Sequence, residues 1–143
     1  MEVRIPTGVE WLDYAIEGGL PRGTWTVITG EPGVGKSILT IQATGASIGR
    51  MPIVYVSTES RFSDIIRQAS QFKIDLNDAT NLADILTGRV REVKGNLLVI
   101  DLFGLYREYR ELLKASESAK KPSRALSIDV LEKAIIRALD ELG

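Results

Sequence analysis

Gly30-Glu31-Pro32-Gly33-Val34-Gly35-Lys36-Ser37 is the stretch of the chain that decides the fold. It fits the pattern G-x-x-x-x-G-K-[ST], which is typical of a loop that binds nucleotide phosphates. Residues 25–29 before it (WTVIT) are rich in β-branched and aromatic side chains, which favour a strand. Apolar residues at helical spacing follow it, from Ile38 to Ile48. The sequence therefore predicts a strand, a glycine-rich turn and a helix, the arrangement that this motif requires.

The eight loop residues have the chemistry that a phosphate site needs. Backbone N–H groups at a helix start lack intrahelical partners, and glycine lets the chain curl so that these groups point inward. We expect Lys36 to reach the β- and γ-phosphates and the Ser37 hydroxyl to bind Mg²⁺. The candidate nucleotide-binding residues are Gly30, Glu31, Pro32, Gly33, Val34, Gly35, Lys36 and Ser37.

Length and composition limit the classes of protein to consider. The chain has 143 residues, enough for one domain with a hydrophobic core and too few for two. Its net charge of −1 provides no general basic surface for nucleic acid. It has no Cys and no His, which excludes disulfides, thiolate zinc sites and a Ser-His triad. Without a signal-peptide pattern or a long apolar run, the sequence predicts a soluble cytoplasmic protein without membrane contact.

Strand and helix patterns alternate along the chain. Two nearly continuous apolar segments, residues 52–57 and 97–101, are typical of buried parallel strands. Apolar residues at helical spacing predict helices over 62–72 and 82–93, and Ser127 is expected to cap a final amphipathic helix. This order predicts an α/β fold with a parallel sheet flanked by helices.

Further motifs precede the loop. Thr7 and Glu10 fit a capping box, in which Thr7 is the N-cap and Glu10 reaches back to it. Leu12-Asp13 and the segment GGLPRG at residues 18–23 follow. With the loop, this order resembles the RecA superfamily, most closely its KaiC-like branch and the archaeal RadA paralogues. The resemblance covers about the first half of the chain, and it implies a RecA-like P-loop NTPase core that binds ATP with Mg²⁺.

Glu59 is the second candidate catalytic residue, with Lys36. The segment from Val54 to Ser60 resembles the second strand of this family, whose terminal glutamate polarises the attacking water. The alternative interpretation is a solvated glutamate at the end of a strand. The carboxyl ends of parallel strands are where ligands gather in such folds, which favours the catalytic interpretation. The resemblance thus implies an ATPase.

Asp101 leaves two interpretations open. Leu97 to Asp101 reads as the hydrophobic strand whose terminal aspartate helps to hold Mg²⁺. Leu102, however, stands where the family usually has a small hydroxyl residue, and the final helix resembles the one that precedes the metal-binding strand. The second interpretation makes residues 1–143 a single domain that lacks the C-terminal strands of the full core. The first strand would then have an unpaired edge, which partner subunits could cover.

Residues 105–124 form a charged segment that begins with aromatic and basic residues, Leu-Tyr-Arg-Glu-Tyr-Arg. This pattern fits either a contact with nucleic acid or a partner, or a solvated helix face. The segment Ser116 to Ser123 is expected to be a linker.

Two functions remain open from the sequence. The first is an ATP-binding and Mg-dependent ATP-hydrolysing domain linked to DNA repair or recombination, acting as a homo-oligomer or with a RecA-family partner subunit. DNA is then a further candidate partner. The second is a non-catalytic module that binds nucleotide or a recombinase partner. Autophosphorylation of the KaiC type is a third interpretation.

Overall fold

Strands and helices alternate in the computed structural model, which describes residues 3–115 and 128–143. The elements are β1 (Arg4–Ile5), α1 (Glu10–Ala15), β2 (Leu20–Pro21), α2 (Lys36–Ser47), β3 (Ile53–Ser57), α3 (Phe62–Gln71), β4 (Thr80–Asn81), α4 (Leu82–Leu86), β5 (Leu97–Asp101), α5 (Leu102–Ala115) and α6 (Ile128–Leu142). None of the described helices is both long and apolar enough to cross a membrane.

A three-stranded parallel sheet lies at the centre, in the order β3-β5-β4. Ile53 pairs with Leu97 and Ser57 with Asp101, so the full lengths of β3 and β5 are in register. All five residues of β5 are buried, as expected for a parallel strand covered by helices on both faces. The predicted α/β fold with a parallel sheet flanked by helices is confirmed.

The side chains of β5 alternate between two hydrophobic clusters, one on each face of the sheet. Leu97 and Val99 belong to the cluster on the side of α2 and α3. The other buried members of this cluster are Ile41, Ile65, Ala69 and Leu76. Leu98 and Ile100 join the second cluster with α4 and α6, whose other buried members are Leu82, Leu102 and Ala138. The sheet thus fixes the start of α2, where the predicted phosphate loop lies, relative to the end of β3.

Residues 25–29 do not form the predicted strand. They have no regular secondary structure, and Trp25 and Val27 are 99% and 81% exposed. A strand needs a neighbour for its backbone hydrogen bonds, and no strand in the described ranges 3–115 and 128–143 pairs with this segment. The turn and helix of the predicted unit are present, but residues 25–29 have no regular secondary structure in place of the strand.

The structure also bears on the segments after β3. Helix α4 ends at Leu86, because Gly88 adopts a left-handed conformation with φ of 74°, so the predicted helix over 82–93 is wrong beyond its first turns. The first part of the charged segment, through Ala115, is helix α5. The predicted linker at residues 116–123 and the predicted cap Ser127 lie outside the described residues.

Candidate functional site

The glycine-rich loop enters α2 through two left-handed glycines. Gly33 and Gly35 have φ values of 84° and 99°, which residues with a Cβ rarely adopt. Helix α2 begins at Lys36 and carries no acidic residue in its first turn. The first helical hydrogen bond runs from the N–H of Leu39 to the carbonyl of Gly35. The N–H groups of Lys36 to Ile38 therefore have no acceptor within the helix and are available to an anion.

The other loop residues shape the turn. A Cβ at Gly30 would lie 2.8 Å from Cγ2 of Val34, so the exposed Val34 side chain would have to move. Glu31, Pro32 and Val34 are exposed. Val34 lines a separate apolar depression beside α1 together with Trp11. Of the eight predicted residues, therefore, only Lys36 and Ser37 line the cavity described next.

The ammonium group of Lys36 folds back over the loop. Its Nζ donates hydrogen bonds to the carbonyl oxygens of Gly30 and Glu31, each at 2.8 Å. An ammonium group has three donors, so one remains for a ligand. The two backbone contacts hold the positive charge at the mouth of the loop.

Lys36, Ser37 and Glu59 line one cavity with a volume of about 410 Å³. Lys36 and Ser37 stand on the wall formed by the start of α2, and Glu59 stands on the wall formed by β3 and the segment after it. Among the described residues, neither the Ser37 hydroxyl nor the Glu59 carboxylate has a hydrogen-bond or ion-pair partner. A cation, a hydroxyl and a carboxylate thus line one cavity.

The turn that carries Glu59 is held at both ends. The Ser57 hydroxyl donates to the carbonyl of Ser60 at 2.7 Å and accepts from its N–H at 3.0 Å. Two residues after Ser60, the N–H of Phe62 donates to Oδ2 of Asp101 at 2.9 Å. Sequence reasoning missed both contacts, although a serine three residues before Ser60 is a signal for a side-chain turn.

Asp101 does not line the cavity of Lys36 and Ser37, although its neighbour in the sheet, Ser57, does. Asp101 is buried, and its second carboxylate oxygen accepts from the N–H of Gly104 at 2.9 Å. One side chain therefore caps the first turns of two helices, α3 through Phe62 and α5 through Gly104. In this position it holds the end of the central strand to the turn that carries Glu59.

The motifs before the loop anchor α2. The N–H and the hydroxyl of Thr7 both donate to Oδ1 of Asp13, each at 2.7 Å, so Asp13 takes the role predicted for Glu10. The predicted capping box is wrong, because α1 begins at Glu10 and its N-cap is Val9, not Thr7. The backbone N–H of Thr7 contributes most to lowering the pKa of Asp13, and desolvation acts in the opposite direction. Gly8 then packs on α2, where a Cβ would lie 2.8 Å from the carbonyl oxygen of Gln42.

These groups fit a nucleotide better than a metal ion alone. In the described part of the chain no three His, Cys, Asp or Glu side chains come together as ligands. The unpartnered Ser37 hydroxyl could provide one ligand to Mg²⁺, and phosphate oxygens would have to supply others. The helix start and Lys36 supply the donors that such phosphates need.

Comparison with known proteins agrees with this site. The profile of the KaiC ATPase family matches residues 5–94. The DNA repair protein RadA of Aquifex aeolicus is 32% identical over 134 residues, 90% of this chain and 30% of its own length. The RadA of Rickettsia felis is 33% identical over 108 residues (70% and 24%), and a circadian clock oscillator protein KaiC of Prochlorococcus marinus is 36% identical over 80 residues (54% and 16%).

The chain spans less than a third of the length of these curated relatives. The family match nevertheless covers most of the chain, and it contains the whole loop, the motifs before it and Glu59. Asp101 lies beyond the matched residues. The chain therefore belongs to the KaiC-like ATPases of the RecA superfamily of P-loop proteins.

Proposed function

We propose that this chain binds ATP with Mg²⁺ and hydrolyses it. The observation that carries the proposal is the shared cavity of Lys36, Ser37 and Glu59, which come from two separate elements. Hydrolysis of a phosphoanhydride needs charge neutralisation, a fixed metal ligand and a group that orients water. These are the three kinds of group that the cavity contains.

Each side chain has a defined part in this proposal. Lys36 keeps two donors on the loop carbonyls and directs its third to the phosphate oxygens. Ser37 offers its hydroxyl to Mg²⁺, which would offset the charge on the phosphate oxygens. Glu59 has no cation beside it among the described residues, so its carboxylate can accept a hydrogen bond from the attacking water. The backbone of Gly30 to Gly35, which lies beside this cavity rather than lining it, would hold the phosphates at the start of α2.

A non-catalytic role is the second candidate. It is favoured by a sheet that is incomplete beside the loop in the described ranges. Residues 25–29 have no ladder partner in the described ranges, and the side of β3 away from β5 is likewise unpaired there. Ile28 and residues of β3 face each other across the cavity. We propose that residues 1–143 form one RecA-like unit and that a further strand completes its sheet at this side. A homo-oligomer neighbour or a RecA-family partner subunit could supply it.

Hydrolysis by matched variants separates the two candidates. Glu59→Gln keeps the size of the side chain but cannot act as a base, and it should lower turnover by about 10²-fold or more. Lys36→Ala should lower both binding and turnover. Lys94→Ala removes an exposed lysine outside the cavity and should match the wild type. If nucleotide binds while wild type and Glu59→Gln turn over equally slowly, the chain is the non-catalytic module.

The connection with DNA is also a proposal. Two of the relatives above are named DNA repair proteins, which supports a role in DNA repair. Recombination and a cytoplasmic location belong to the same proposal. Assembly into homo-oligomers fits the unpaired sheet edge. Sedimentation velocity with and without ATP and Mg²⁺ tests this point. A species that stays monomeric at micromolar concentration under both conditions would count against it.

A further inference from the structure

Ser57 is the last residue of β3 and the one buried residue of that strand. Its partner in the sheet is Asp101, at the end of the fully buried β5. Ser57 also lines the cavity of Lys36, Ser37 and Glu59, and it precedes Glu59 by two residues. Its side chain therefore stands on the sheet at the point where the chain turns towards Glu59.

The hydroxyl of Ser57 closes a short turn around Glu59. It donates to the carbonyl oxygen of Ser60 at 2.7 Å and accepts from the N–H of Ser60 at 3.0 Å. Outside the sheet ladder, residues 58–60 make no other hydrogen bond with the described part of the chain. One side chain thus satisfies both backbone groups of Ser60 and fixes both ends of the segment that contains Glu59.

Ser57 has no proton left for a ligand. A hydroxyl has one donor and two acceptor lone pairs, and the donor is committed to Ser60. The residue is also buried, with 8% of its surface exposed. It cannot donate to a phosphate or to an attacking water without giving up the turn. Any contribution of Ser57 to chemistry in the cavity therefore passes through the residue that the turn carries.

A second contact holds the chain beyond this turn. The N–H of Phe62 donates to Oδ2 of Asp101 at 2.9 Å, and Asp101 is the in-register partner of Ser57. The segment from Ser57 to Phe62 thus leaves the sheet and returns to it at the same pair of residues. The Asp101 carboxylate fixes the start of α3, but in the described ranges it bonds to none of residues 58–60. The placement of Glu59 therefore depends on Ser57.

The side chain of Glu59 has no contact of its own that could position it. The residue is exposed, and its carboxylate has no hydrogen-bond or ion-pair partner among the residues that the structure describes. A group that orients water has to be held close to its productive geometry, and a displacement of about 1 Å can cost about 10²-fold in rate. The backbone of the turn is therefore what restricts where this carboxylate lies.

We propose that Ser57 is a positioning residue for Glu59, because its hydroxyl holds the turn from which the Glu59 carboxylate reaches the water that attacks ATP. This inference rests on the proposed ATPase function, and it adds a residue that acts without touching the nucleotide. Loss of the hydroxyl leaves Lys36 and Ser37 in place, since they stand at the start of α2 on the opposite wall of the cavity. Turnover should therefore fall while nucleotide affinity stays the same.

Steady-state hydrolysis and calorimetric titration of the whole chain with ATP and Mg²⁺ test this assignment. Ser57→Ala should lower kcat by about 10- to 100-fold and leave the Kd for ATP within about twofold of the wild type. Ser57→Thr keeps a hydroxyl on a residue that suits a strand, and it should retain most of the turnover. Ser70→Ala is the matched control, because the exposed Ser70 hydroxyl also donates to a backbone carbonyl three residues away, that of Arg67 at 2.7 Å, but lies outside the cavity. It should behave as the wild type.

A double-mutant cycle with Glu59→Gln separates positioning from a general effect on the fold. In the Glu59→Gln background, Ser57→Ala should have little further effect on kcat, because the group that Ser57 positions is already gone. An equal loss in both backgrounds, wild-type turnover of Ser57→Ala, or a parallel loss of ATP affinity would overturn the proposal. Normal turnover of Glu59→Gln would instead refute the proposed role of Glu59, and the positioning role would fall with it.

Hydrogen exchange tests the turn without ATP hydrolysis. The amide of Ser60 should exchange several-fold faster in Ser57→Ala than in the wild type, since it loses the hydroxyl that accepts its hydrogen bond. The amide of Ile65, which donates to the carbonyl of Arg61 at the start of α3, should keep its rate and so report that the helix is intact. An unchanged rate at Ser60, or an equal acceleration at Ile65, would contradict the assignment of the turn to Ser57.

Discussion

Replacing Asp101 by alanine is expected to destabilise the fold by about 2–4 kcal/mol. The carboxylate is buried and accepts the N–H groups of Phe62 and Gly104, each at 2.9 Å. Loss of a helix cap costs about 1 kcal/mol, and a buried donor left without its acceptor costs about 1–3 kcal/mol. Since the substitution removes one cap and leaves a second, buried donor without its acceptor, adding the two losses gives the range of about 2–4 kcal/mol.

Urea unfolding measures this loss. For an m-value of about 2 kcal/mol/M, the midpoint should fall by about 1–2 M with m unchanged. Asp101→Asn keeps one acceptor oxygen and should lie between Asp101→Ala and the wild type. Asp75→Ala is the matched control, because within the part of the chain that the structure describes the exposed Asp75 accepts only from the N–H of Asn77. It should change stability by less than about 0.5 kcal/mol.

The same experiment distinguishes a structural aspartate from a metal ligand. A chain with Asp101→Ala that unfolds within about 0.5 kcal/mol of the wild type would refute the reasoning about the two helix caps. Loss of the Mg²⁺ dependence of nucleotide binding in that variant would support the first interpretation of Asp101, in which it helps to hold the metal ion.

Three more predictions follow from the scaffold. Because hydrogen bonds lower the pKa of Asp13, its contribution to stability is complete above the usual carboxyl pKa of 3.8 and is lost as pH falls through the lower folded-state value. Asp13→Asn should therefore reduce stability near neutral pH, and its urea midpoint should fall less than that of the wild type as the pH is lowered. An equal fall in both proteins would contradict this. Gly8→Ala should cost about 1–3 kcal/mol, because its Cβ would press on the Gln42 carbonyl, whereas Gly23→Ala meets open space and should cost less; equal midpoints would contradict the packing argument. In hydrogen exchange the amides of β5 should be the slowest and those of residues 25–29 among the fastest, and strong protection of residues 25–29 would show that they have a partner.

Local chemistry accounts for what the sequence could predict. The spacing of Gly33, Gly35 and Lys36 specifies left-handed turns and a helix start, and these depend on neighbouring residues alone. The apolar run of β5 predicts a strand buried on both faces, because few other settings remove five consecutive residues from water.

Long-range contacts account for what the sequence could not predict. The bond from Phe62 to Asp101 joins residues 39 positions apart, so no local pattern announces it. The strand propensity of residues 25–29 is real, but a strand forms only where a neighbour supplies hydrogen bonds. The expected role of Glu59 came from resemblance, and the geometry adds that it faces Lys36 and Ser37 across one cavity.

Nucleotide affinity at the loop tests the central claim most directly. Isothermal titration of the whole chain with ATP and Mg²⁺ should give saturable binding, and Lys36→Ala should weaken it by about 10- to 100-fold, the loss of one charge-assisted hydrogen bond of about 1.5–3 kcal/mol. Lys94→Ala should bind as the wild type does. An absence of binding, or equal affinity of Lys36→Ala and the wild type, would contradict the assignment of this loop as the nucleotide site.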